Sequence, residues 1–160
     1  MRMLLVSLAL ASLSTTAPAE NVKPRRCDAP EYRQFDFWLG DWEVRDAQGA
    51  LQGQNRITRE YDGCVLQEHW SAPGQTGSSF NVYDARSKKW HQTWVDNHGT
   101  LLLLDGGLDA GSMFLRSPGG SQRIRWTLLP DGRVRQLWDA SADGGKSWSV
   151  KFDGYYTKRK

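Results

Sequence analysis

Tight-turn sequences punctuate this chain every eight to twelve residues from residue 46 onward. They are Asp46–Gly49, Asp62-Gly63, Pro73-Gly74, Asp84–Lys88, Asp96–Gly99, Asp105–Gly107, Pro118–Gly120, Pro130–Gly132 and Asp143–Gly145. Glycine and Asp or Asn tolerate the positive φ of hairpin turns, and proline presets φ for others. Such spacing leaves no room for long helices, and no segment holds a helical period. The runs between the turns read as strands at 35–44, 51–60, 65–71, 76–83, 89–95, 100–104, 111–116, 122–129, 133–139 and 146–156. A single helical turn is expected over 31–35, before the first of them. The links are too short for helical crossovers, which rules out a parallel sheet. An antiparallel meander of this size packs as a sandwich or closes on itself. The reading adopted is all-β, a single closed meander barrel of about ten strands.

Alternation within the strands assigns residues to faces, because strand side chains repeat with period two. Trp90, Gln92 and Trp94 share a face, as do Ile124, Trp126 and Leu128, then Val134, Gln136 and Trp138. Arg123, Arg125, Arg133 and Arg135 lie on the opposite faces, so the tryptophan faces point inward. Leu66, Glu68 and Trp70 follow the same rule, and Ser79 pairs with Asn81. In the stretch 35–44, Trp38, Gly40 and Trp42 fall on one face of the expected first strand. Inward glutamine and glutamate are expensive unless paired or wet. The pattern therefore implies a cavity. Its candidate lining is Trp38, Glu68, Trp70, Asn81, Trp90, Gln92, Trp94, Trp126, Gln136 and Trp138.

The first nineteen residues have a short basic start, an apolar run from Leu4 to Leu13 and Ala17-Pro18-Ala19 before Glu20. That tripartite pattern is a secretory signal peptide, too short to span a membrane. No cysteine follows it at the position of a lipid anchor, so a soluble periplasmic or secreted protein is expected. The expected domains are a leader at 1–19, an arm at 20–34, a barrel at 35–157 and a basic tail at 158–160. The arm from Glu20 to Pro30 is polar with two prolines and reads as mobile. In an oxidising destination Cys27 and Cys64 read as one disulfide, with two free buried thiols as the alternative. The formal charge of +3 is mild and its signs are interspersed, which argues against a nucleic-acid footprint. Two cysteines and three scattered histidines give no zinc spacing, and neither a metal nor a cofactor is expected.

Several motifs are local clasps rather than chemistry. Ser141-Ala-Asp143-Gly-Gly145-Lys-Ser-Trp148 fits S-x-D-x-G-x-x-W, similar to the Asp-box of sialidase-type propellers. Its Ser and Asp would bond hairpin amides with Trp148 packed beneath. Tyr83 to Trp90 resembles a kelch-like turn. Gly40-Asp41-Trp42 resembles the G-x-W with which lipocalins begin, where the Trp closes one barrel end against a late basic residue. The resemblance implies Lys151 or the basic tail as that partner. More broadly, Phe35–Val44, Asp62-Gly63-Cys64 with Glu68 and Trp70, Lys89–Asp96, Asp131–Trp138, Asp143–Trp148 and Phe152–Tyr156 resemble a family of exported bacterial proteins. That family is built on a domain of unknown function with a calycin-like barrel. A distant likeness to nitrobindin-like haem barrels would require a late histidine, and none follows His98.

Three functions follow as expectations. The first is binding of a small amphipathic or aromatic molecule in the barrel. The second is a hydrolase or isomerase using Glu68, the one acid that alternation places inward, as acid or base. The third is a structural or interaction protein with a filled core. His69 and His91 face outward and His98 sits in a turn, and no Ser, His and Asp set can be assembled.

Overall fold

The computed structural model of the protein describes residues 27–160. The expected leader at 1–19 and residues 20–26 of the arm lie outside the described residues. Ten strands follow in order: β1 (Gly40–Arg45), β2 (Leu51–Glu60), β3 (Val65–Ala72), β4 (Gln75–Asp84), β5 (Lys89–Asp96), β6 (Leu101–Asp109), β7 (Ser112–Arg116), β8 (Gln122–Leu128), β9 (Val134–Ala140) and β10 (Ser149–Lys158). Each pairs antiparallel with the next, and β10 returns to β1 to close the barrel. Closure leaves no free sheet edge.

Because the meander reverses at every turn, alternate turns share an end. The β1–β2, β3–β4, β5–β6, β7–β8 and β9–β10 connections gather at one end. The other end carries the N-terminal segment. There Pro30–Arg33 and Asp36–Trp38 form 3-10 turns, and the Cys27–Cys64 disulfide ties the segment to the 3-10 turn Tyr61–Gly63 that links β2 and β3. Arg33 donates to the carbonyls of Cys27 and Gly63, and Tyr32 packs edge-on to Tyr83 at 5.2 Å. From Cys27 onward, then, the expected mobile arm is pinned to the barrel.

Two expectations are corrected. Trp38 is not on the first strand, which begins at Gly40. The chain turns through Asp36–Trp38 and enters β1 at a Gly40 φ of 140°, a region that side chains rarely adopt. Trp38 and Trp42 still share the interior, and Trp42 Nε1 donates to the Trp38 carbonyl at 2.9 Å. The second correction concerns Asp105-Gly106-Gly107, which is strand rather than turn. A Cβ on Gly106 would lie 2.1 Å from the Phe114 carbonyl oxygen. The glycine there serves close strand approach. The reversal falls at Ala110-Gly111, both with positive φ, as a two-residue hairpin requires.

The closed end is filled by aromatic rings. Phe35 stacks on Trp38 at 4.9 Å and meets Trp126 at 5.2 Å and Trp90 at 5.8 Å. Trp42 packs edge-on to Tyr156. The basic partner of Trp42 is Lys158, whose Nζ stands 5.3 Å from the ring centroid. Lys151 does not take that place, because it falls in the β10 register shift between Val150 and Phe152 and is exposed.

Arginines on the outer faces of β8 and β9 pair with acids, Arg123 with Asp139 and Arg135 with Asp153. Between β9 and β10 the Ser141–Trp148 clasp forms as its sequence implies. Ser147 donates to Asp143 through both amide and hydroxyl, Gly145 N donates to Ser141 Oγ, and Arg123 covers the Trp148 ring at 3.9 Å. The Ser147 hydroxyl, then its amide, hold the Asp143 carboxyl at about 2, below its usual 3.8. A carboxylate so depressed stabilises the hairpin above the unfolded value and releases it as pH falls towards the folded one. The Ser147 amide resonance should accordingly titrate with a midpoint near 2. A midpoint at 3.8 would mean that the clasp is open in solution.

Candidate functional site

A cavity of about 200 Å³ opens at the barrel end opposite the N-terminal segment. Its wall carries Trp70 from β3, Trp94 from β5, Trp138 from β9 and Phe152 from β10. Trp70 meets Phe152 edge-on at 5.9 Å. Glycines on neighbouring strands make room for two of these rings. A Cβ on Gly77 would lie 2.5 Å from Trp94 Cζ2, and one on Gly53 would lie 2.8 Å from Trp70 Cζ2. Each indole therefore lies across the backbone of the adjacent strand and papers the inner wall.

At the mouth, Asp96 organises the β5–β6 turn. It accepts from the His98 and Thr100 amides at 3.0 and 3.1 Å, and from Trp94 Nε1 and Gln75 Nε2 at 3.4 and 3.3 Å. Desolvation pushes its carboxyl up, but the bonds from Thr100, His98 and Trp94 outweigh it and hold the value at about 2. Trp138 Nε1 donates to Gln122 Oε1 at 2.7 Å.

Deeper in, a polar network converges on Glu68. Asn55 Nδ2 donates to its Oε1 at 2.7 Å, and Ser79 Oγ to its Oε2 at 2.6 Å. Ser79 Oγ accepts from Asn81 at 2.9 Å and from Gln92 at 3.3 Å, and Gln92 also donates to Asn81 Oδ1 at 2.9 Å. On the far side Asn55 reaches Tyr156 Oη at 3.4 Å, and Tyr156 donates to Gln136 Oε1. Glu68 is 5 % exposed. Burial raises its carboxyl above the usual 4.5, partly opposed by the bonds from Ser79 and Asn55. Burial, with the nearby Glu68 charge, likewise holds the Tyr156 phenol well above 10, so it stays a donor.

Six residues expected to line a cavity do so: Glu68, Trp70, Gln92, Trp94, Gln136 and Trp138. Trp38, Trp90 and Trp126 belong instead to the packed closed end, and Asn81 lies behind Gln92 in the network. His98, read as a plain turn residue, stands at the mouth. Tyr156 and Asn55 join the site beyond the expected residues, since alternation along β10 and β2 carries both inward with Gly154 and Ile57. No family model matches the chain, and neither does any curated protein. Among the described residues, no three His, Cys, Asp or Glu side chains are grouped to hold a metal ion, and no helix is long and apolar enough to cross a membrane.

The raised Glu68 carboxyl has a measurable consequence. Above 4.5 the unfolded chain has released a proton that the native state still holds. Stability therefore falls as pH rises from there through the folded value. Gln at this position keeps the shape and does not titrate. Urea unfolding from about pH 4 to about pH 8 should show Glu68→Gln gaining on wild type as pH rises. A difference that stays flat would make Glu68 an ordinary carboxyl.

Proposed function

We propose that this barrel binds a small, partly aromatic or amphipathic molecule in its cavity. The observation that carries the reading is the arrangement of that cavity, open at one end, with four aromatic rings on its wall and Glu68, Gln92, Gln136 and Tyr156 beneath them. Sites of this kind combine apolar walls with a few placed polar groups. A core filled by its own side chains would leave no such space. Because Trp70, Trp94 and Trp138 line it, an occupant changes their emission. Titration with a panel of metabolites and lipids should perturb tryptophan fluorescence saturably for at least one compound. A panel without effect would remove the reading.

We further infer that the protein works in the periplasm or outside the cell. The disulfide supports an oxidising compartment, and the residues 1–19 have the pattern of a leader. Protein recovered from the exported fraction should begin at Glu20, and retention of Met1 there would oppose export by this leader.

A further inference from the structure

We propose that the cavity selects an organic cation, an ammonium group carried on a small apolar body. The proposal rests on the binding reading above and adds the charge of the ligand. Three observations carry it.

The first is the charge census of the lining. Glu68 and Asp96 both line the cavity, while no Lys or Arg does, and the one basic side chain, His98, stands at the mouth. Among the described residues every ion pair within 4.0 Å uses other acids, and Glu68 has none. Its partners Asn55 and Ser79 are neutral. Ionising a buried carboxyl without a counter-cation is costly, and an ammonium group in the cavity would supply that partner. A carboxylate has about four lone-pair sites, so each oxygen keeps acceptor capacity beyond the bond it already takes.

The second is the nature of the wall. Tryptophan offers the best ring face for a cation, and Phe152 adds another. The indole N–H groups of Trp94 and Trp138 are already turned to Asp96 and Gln122. What these two side chains hold out to a ligand is their π-system rather than a donor.

The third is the direction of the network. Gln92 donates into Ser79 and Asn81, Asn81 into Ser79 and the Leu66 carbonyl, and Ser79 into Glu68. The donors of Gln92, Asn81 and Ser79 are spent on one another, on the Leu66 carbonyl and on the carboxylate. An anion entering here would meet two acidic side chains and no Lys or Arg.

The test compares three probes of one shape and different charge: benzylammonium, benzyl alcohol and benzoate, titrated calorimetrically at low salt. Benzylammonium should bind about tenfold tighter than benzyl alcohol, with benzoate weakest. Glu68→Gln should abolish the preference, so that benzylammonium and benzyl alcohol bind the variant equally. Should that variant fail to fold, Trp138→Leu at the wall should shrink the same preference, and the wild-type ranking stands without either variant. Benzyl alcohol or benzoate binding as tightly as benzylammonium overturns the cation proposal and leaves the binding reading intact. So does a metabolite panel in which only neutral or anionic members bind. A protein that binds nothing in either set overturns both.

Discussion

Trp38→Ala should lower the unfolding free energy by about 3–5 kcal/mol, the cost of emptying a fully buried large aromatic site. The ring has no exposed surface and lies among Phe35, Trp126 and Tyr156 at 4.9, 5.4 and 6.4 Å. Its removal leaves a hole that the closed sheet cannot collapse to fill. The Trp38 carbonyl also receives the Trp42 indole N–H, so the substitution loosens the turn that aims Trp42 into the barrel. Urea or thermal unfolding reads the effect as a midpoint shift. Trp38 does not line the cavity, so affinity for any ligand of the folded protein should change little. A loss below about 1 kcal/mol, the size of a surface change, would mean that the 3-10 segment is not part of the core.

The same residue shows where sequence reading succeeds and where it stops. Alternation and turn chemistry place β2 at residues 51–60, as observed, and put Glu68, Gln92 and Gln136 inside. Both signals are local. Trp38 lies inside for another reason, because a 3-10 turn folds it under the barrel, and no period-two pattern describes that. Gly106-Gly107 has the composition of a turn. It is strand because it pairs with Leu115 and Phe114 of β7, where the Phe114 carbonyl approaches Gly106, a contact between segments that one stretch of sequence does not contain. Alternation also says in or out but not how deep. Trp90 and Trp94 share a face of β5, yet one packs at the closed end and the other walls the cavity. The clue was available in strand direction: Trp90 opens β5 at the closed end and Trp94 nears its finish at the open one. Asn55 and Tyr156 needed only the alternation count to be extended along β2 and β10.

Removal of the disulfide is the second large effect. Cys27 and Cys64 are separated by 37 positions, and closing a loop of that length contributes about 4 kcal/mol in the chain-entropy model. The Cys27→Ser, Cys64→Ser pair should lose about that much, seen as a lower urea midpoint. Reducing agent should have the same effect on wild type and none on the pair. The bridge and the Trp38 ring hold the same segment against the same barrel end. Their losses should therefore combine to less than their sum when all three substitutions are made, as expected for neighbouring sites. Full additivity would separate the two, and it would mean that the segment docks through its rings whether or not it is tethered.

The glycines beneath the cavity rings have a consequence for how this barrel can change. Gly77 and Trp94 occupy the space of one ordinary pair of side chains, divided so that one strand supplies all of the bulk and its neighbour none. Gly53 and Trp70 divide theirs in the same way. Neither member is free to vary alone. A side chain added at 77 evicts the ring at 94, and a smaller residue at 94 strips the backbone at 77 of its cover. Diversification of this wall would proceed by exchange, with volume passing from one strand to the next while the sum stays fixed. The outline of the chamber could then be redrawn without altering the number of strands around it.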